Sequence, residues 1–504
     1  MFLGNNNIDI KHILKQGGGT TVITYVGVFL GACNAMFLFP YFLSLRELGV
    51  RSLLIDAATI LYLFPLLGIN SIFLKFFPLF TDKKKRGEFY FSFIMIFFIC
   101  FLLSIISFSF MDKWILQIYV QKSPLFSSLL FLLPYLVFFM GINMILSSIF
   151  RCEKNIITIA LVKEIQIRIF TLIIVLLYAY DIISAEYFWY LFVAIYGLNS
   201  MVLFFVAYKR KYFTFRWSEK LKNISYTIDL FKYGLFNVVF STFNIIIEKA
   251  DILMIGFFMS ETDVGIYALS IFIISFIEIP KISIAQVLRP ILSEAVMNNE
   301  IKRIKEIYHQ MSINAQLISS YLLILIWQNI DFLYKIIPKG EMFYLGKNIL
   351  LIIGIAKVFD MMYSFNSELI AFSKEYKINL YINLVSMMIG LILNWLLIPV
   401  YGLNGAALAT AIVLLFINVI RFFYIKSIMK LTPLSVKNLL VFIFFILLLG
   451  ITSVSKLYLE VNLLNSILGS IILSVLFLGF IYKYNISEKS NLIISLIIKK
   501  IQSF

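Results

Sequence analysis

About fourteen apolar runs of membrane-spanning length, joined by short polar loops, leave this chain few possible folds. A hydrocarbon core of about 30 Å needs about 20 predominantly apolar residues in a helix. Runs near 20–43, 53–75, 89–111, 125–149, 156–180, 187–208, 233–259, 264–289, 313–334, 348–373, 378–400, 403–425, 438–456 and 462–482 meet that length. Within lipid every backbone donor and acceptor must be satisfied inside the segment, so continuous runs of this kind specify helices. A hydrophobic content of 61% against 14% charged residues excludes an ordinary soluble domain. The expected class is an all-α polytopic membrane protein.

The net charge of +16 would suggest nucleic acid in a soluble protein. Its distribution points to topology instead. With the amino terminus in the cytoplasm, roughly 32 Lys and Arg fall in cytoplasmic segments and roughly 8 outside, leaving Lys249, Lys281 and Lys357 within spans. The Lys83–Arg86 run and the Lys209–Lys232 connection are the densest cytoplasmic segments, and they read as topology and headgroup contact rather than a nucleic-acid surface. Both termini are expected in the cytoplasm, and insertion is expected without a cleaved signal peptide. Cys33, Cys100 and Cys152 show no metal-ligand spacing, His12 and His309 are isolated, and there is no P-loop. No metal, no cofactor and no ATP hydrolysis are expected.

The long basic connection divides the chain into a lobe of six spans (1–208), the connection itself (209–232), a second lobe of six spans (233–425) and an accessory pair with its tail (426–504). A shift of 217 sets Thr20, Thr24, Gly27, Gly31 and Asn34 on Asn237, Ser241, Asn244, Glu248 and Asp251, and a shift of 215 sets Pro65 on Pro280. An even number of spans in each copy implies a parallel repeat about a pseudo-two-fold axis normal to the membrane. The segment Ile493–Ile501 is too short to span and is expected to lie at the interface.

Charged residues at membrane depth cost about 2.5–3.5 kcal/mol each on insertion scales, so they mark candidate sites. The seventh run places Asn237, Ser241, Asn244, Glu248 and Asp251 at steps of four, three, four and three, within an arc of roughly 80° on one helical face. Lys249 falls about 100° from Glu248 on the side away from Asp251. The tenth run carries Lys357, Asp360, Ser364, Ser367 and Glu368 on one face, and the eighth carries Glu278, Lys281 and Arg289 around Pro280. In the first lobe Asp56 sits comparably deep, with Asn34 as an uncharged polar residue, and Lys163, Glu164 and Arg168 lie toward the cytoplasmic end of the fifth run. The pairs Glu278–Lys281 and Lys357–Asp360 have the spacing to neutralise each other within their own helices.

The segments Asp251–Gly256, Val264–Ala268, Asn394–Gly402 and Gly405–Thr410 resemble the polysaccharide-exporter branch of the multidrug, oligosaccharidyl-lipid and polysaccharide (MOP) transporter superfamily. The resemblance implies a flippase of the bacterial inner membrane that moves an undecaprenyl-diphosphate-linked oligosaccharide, for O-antigen, capsule or a related glycan, to the periplasmic leaflet. It implies membrane lipids around the chain, and a glycan polymerase and glycosyltransferases as pathway partners. On that reading Lys249, Lys281 and Lys357 replace the hydration of the diphosphate, while Asn34, Asn237, Ser241 and Asn244 shelter the sugar. Glu248, Asp251, Glu278, Asp360 and Asp56 hold the lysines or couple charge movement. Such proteins often carry basic residues on the first lobe's cavity helices, and the first apolar run here has none. The rivals are a multidrug or peptidoglycan-precursor exporter of the same superfamily, and a glycan polymerase or ligase. External loops of only about a dozen residues, near 112–124 and 335–347, speak against an enzyme.

Overall fold

A computed structural model describes residues 6–458 and 460–487, so the proposed interfacial segment at 493–501 lies outside the described residues. The described residues are overwhelmingly helical and include no β-strand. Eleven of their helices are long and apolar enough to cross a membrane, against about fourteen runs expected. The other three runs are also helical. They are the ones with charge clusters or a break: Ile156–Ala160 with its continuations to Ala179, Ile224–Phe258, and Glu261–Ser275 followed by Ile279–Met297. The chain is a multi-pass helical membrane protein.

The chain forms two compact units, Met1–Gly265 and Ile266–Phe504. The helix of the seventh run, Ile224–Phe258, therefore belongs to the first unit, where it packs on Leu45–Leu61. Leu45–Leu61 begins with a capping box, in which the Ser44 hydroxyl accepts from the Glu47 amide and the Glu47 carboxylate accepts from the Ser44 amide. At this end the backbones touch. A Cβ on Gly49 would collide with the Glu261 carbonyl, and one on Gly265 with the Leu45 carbonyl. The buried Glu261 carboxylate accepts from Arg46 and from the amide of Phe126 at 3.1 Å, on the first turn of Pro124–Ser128.

Proline marks a break in both the second and the eighth run. In the second run, Leu63–Leu66 ends with Leu67 and Gly68 at positive φ before Ile69–Phe76 resumes. In the eighth, Glu261–Ser275 gives way to three turn residues, and Ile279–Met297 restarts with Pro280 in its first turn. Proline lacks the amide that would continue the ladder, so both breaks follow from the sequence. In the second unit Gly402, at φ +57°, turns Ile378–Tyr401 back against Leu403–Ile428. Val436–Tyr458 and Leu463–Lys483 both pack on Ile301–Ile336.

Candidate functional site

Each unit holds its own cluster of ionisable side chains on spanning helices. In the second unit the cluster is a ladder. Lys357 Nζ lies 2.7 Å from Glu278 Oε1, Lys281 Nζ 3.1 Å from Asp360 Oδ2, and Arg289 Nη2 3.0 Å from Glu368 Oε1. All three pairs are separated by 79 residues in sequence. A constant offset means that the two segments run parallel and in register. Glu278–Lys281 and Lys357–Asp360 therefore pair across helices rather than along them. The signal was present in the sequence: acid, base, base at 278, 281 and 289 is answered by base, acid, acid at 357, 360 and 368, at identical spacing.

Leu403–Ile428 extends this network. Asn418 donates to Asp360 Oδ1 at 2.7 Å, which leaves each oxygen of that carboxylate with a partner. Arg421, half-buried three residues on, donates to Asn383 at 2.8 Å. Neither Asn418 nor Arg421 was singled out from the sequence, although a charge inside an apolar run was the available signal. Four basic groups, Lys281, Arg289, Lys357 and Arg421, thus meet three acidic ones, Glu278, Asp360 and Glu368, on these helices. Ser364 is buried and donates to the carbonyl of Met361, so it serves its own helix.

In the first unit Lys249 lies 3.3 Å from Asp56 and 3.5 Å from Glu248. Asp56 is 5% exposed, whereas the Glu248 side chain is 72% exposed, so the lysine bridges a buried acid and an open one. Asp251 is buried, which splits the expected wet stripe: Asn244 and Glu248 are exposed, Asn237 and Ser241 half-buried, and Asp251 enclosed. Asn237 and Asn244 donate to the carbonyls of Tyr233 and Phe240, one turn back on the same helix. Those two bonds are local ones, made to the carbonyls of the helix itself.

The first run lacks basic residues of its own, but the fold supplies one. Arg168 packs against Gly27 and Gly31 so closely that a Cβ at either would meet its guanidinium, and Asn34 donates to the Arg168 carbonyl at 2.9 Å. Glu164 accepts from Arg168 at 2.6 Å. Both sides of this contact contain π-helical turns, Asn34–Leu38 and Leu161–Gln166. Such turns widen the helix locally and recur at functional sites. Arg51, a further basic residue of this unit, stacks on Phe39 with its guanidinium 5.0 Å from the ring centre.

These pairs make a testable demand on stability. Asp56→Asn leaves Lys249 only the exposed Glu248, and the lost charge-assisted contact costs about 1.5–3 kcal/mol. Folded yield in detergent is expected to fall sharply for Asp56→Asn and to recover when Lys249→Met is added. A double variant no better than the single one would show that the pair does not hold these helices.

The fold is similar to that of solved MOP-type transporters. Residues 238–396 match the MatE family. Among solved structures, the chain is similar to the lipid II flippase MurJ in an inward closed conformation, with a TM-score of 0.73 at 16% identity over 93% of this chain and 99% of that one. It is also similar to a mutant of the Vibrio cholerae MATE transporter VcmN, with a TM-score of 0.55 at 13% identity over 84% and 99%. An inward-facing multidrug resistance MATE family transporter of the MOP superfamily gives 0.55 at 12% identity over 85% and 96%. No curated protein matches the chain.

Proposed function

We propose that the chain is a flippase that moves a polyprenyl-diphosphate-linked oligosaccharide across the bacterial inner membrane by alternating access. The reading rests on the parallel ion-pair ladder of the second unit. A diphosphate carries two or so negative charges and cannot leave water unless cations and polar groups replace its hydration. Lys281, Lys357 and Arg289 are such cations at membrane depth, and each is already held by a carboxylate. Arrival of the diphosphate exchanges one anion for another on the same ammonium or guanidinium groups. The freed carboxylate then takes up a proton or a cation, which gives the cycle a coupling point. Lys249, bridging Asp56 and Glu248, is the corresponding exchangeable cation of the first unit, and Arg168 adds a basic group beside Asn34.

On this reading the glycan is O-antigen, capsule or a related unit. Both termini face the cytoplasm, and the glycan polymerase and glycosyltransferases of the pathway act on the same carrier lipid. The short external loops suit a transporter rather than a polymerase. The likeness to the lipid II flippase MurJ favours as second reading a peptidoglycan precursor as cargo, and the likeness to a multidrug resistance MATE transporter favours a drug.

Mass spectrometry of carrier lipids after deletion separates these readings. Accumulation of an undecaprenyl-diphosphate oligosaccharide supports the first, and accumulation of lipid II supports the second. An unchanged lipid profile sinks both.

A further inference from the structure

The extracytoplasmic side, by the charge-based orientation, holds only roughly eight Lys and Arg, and four of them gather at one point. Lys335 and Lys339 line a cavity of about 570 Å³ together with Asp331, Glu341 and Tyr344. Directly behind it, Lys347 and Lys456 converge on the same Asp331 carboxylate at 2.6 and 2.7 Å. One acid shared by two lysines leaves a positive charge in excess, and Glu341 is the further acid that the cavity lining sets against its own two lysines. Pockets of 300–1,000 Å³ are of ligand size.

The site is built rather than a loose scatter of surface lysines. Lys347 and Lys456 lie 5.3 and 4.6 Å from the Trp327 ring centre, and Lys347 Nζ is 3.0 Å from the Tyr344 hydroxyl. Lys335 donates to the Val461 carbonyl at 3.1 Å, which ties the 460–462 loop to the pocket rim. Lys339 holds a positive φ of 59°, an uncommon conformation for a residue with a side chain. Trp327, Tyr334 and Tyr344 are the aromatic residue types that collect at headgroup level. The anions present at that depth of a bilayer are phosphates.

We propose that this cavity binds the phosphate headgroup of a lipid in the extracytoplasmic leaflet. The site takes phosphate whatever cargo the chain carries, and two sources supply it: the anionic lipids of the bilayer and the diphosphate of the translocated carrier. Lys335 and Lys339 contact the phosphate oxygens, while the pair behind them on Asp331 keeps the local potential positive.

Native mass spectrometry of the purified full chain in detergent tests this, with phosphatidylglycerol, undecaprenyl diphosphate and phosphatidylcholine as probes. Lys335→Gln with Lys339→Gln is expected to weaken binding of an anionic probe by about thirtyfold. The arginine pair at the same positions is expected to retain it. A loss for phosphatidylglycerol alone assigns the site to the bilayer, a loss for undecaprenyl diphosphate alone assigns it to the carrier, and a loss for both makes it a shared phosphate site. The wild-type chain provides a second measurement independent of folding: either anionic lipid should slow chemical acetylation of Lys335 and Lys339, and phosphatidylcholine should not. Equal adducts in wild type and the glutamine pair, or acetylation unaffected by either lipid, overturns the proposal.

Discussion

Exchanging the partners of one rung, Lys281→Asp with Asp360→Lys, is expected to restore a stable protein that transports far more slowly. Lys281→Ala alone is a poor test, because it removes the ammonium nearest the half-buried Asp360, a defect of about 1.5–3 kcal/mol in its own right. The exchanged pair keeps one charge of each sign at the rung, so folded yield and thermal midpoint should return most of the way to wild type. Transport should not, because the ammonium now projects from the other helix and meets the cargo elsewhere. A charge-assisted hydrogen bond contributes about 1.5–3 kcal/mol, and its loss in the transported complex predicts a rate lower by roughly tenfold to a hundredfold. The measurement is flipping of a fluorescent polyprenyl-diphosphate saccharide in proteoliposomes, normalised to inserted protein. Wild-type flipping by the exchanged variant would reduce the rung to a structural staple. Retained efflux of a cationic drug by Lys281→Met would instead make the carboxylates the working groups.

The ladder shows where reading the sequence succeeds and where it stops. That Lys281, Lys357, Glu278 and Asp360 stand inside apolar runs was legible, because it depends only on the residues immediately around them. Their partners were not, since a spacing of three places an acid and a base side by side on one helix whether or not they pair there. Only tertiary packing decides, and it joined 278 to 357 and 281 to 360. Arg168 makes the same point from the other direction. Its place in the fifth run was clear, but Gly27 and Gly31 had to be set against it before the first run acquired a basic neighbour. Span number was legible to the extent that apolar character is continuous. The count differs at the three segments whose polar residues or proline interrupt it. The Asn237 and Asn244 amides were readable as a stripe, yet their bonds to Tyr233 and Phe240 are local choices that any helix offers an asparagine.

Gly49→Val and Gly265→Val are expected to damage the first unit strongly, with losses of about 1–3 kcal/mol or more from overpacking. Both glycines sit where backbone meets backbone, so neither obstacle can rotate aside: the Gly49 side meets the Glu261 carbonyl and the Gly265 side the Leu45 carbonyl. Separating these segments would also pull Glu261 from Arg46 and from the Phe126 amide, leaving a buried carboxylate without those donors. Gly450→Ala and Gly479→Ala provide the contrast. They lie within Val436–Tyr458 and Leu463–Lys483 with no neighbouring atom within 4 Å of a Cβ, so alanine should be neutral or stabilise the helix by about 0.5–1 kcal/mol. Thermal midpoints by fluorescence-detected size exclusion decide the matter for all four variants. The close-packed junction would be disproved if Gly49→Val and Gly265→Val melted with Gly450→Ala. If they melt lower but Glu261→Gln does not, the backbone contact rather than the carboxylate clasp holds this end together.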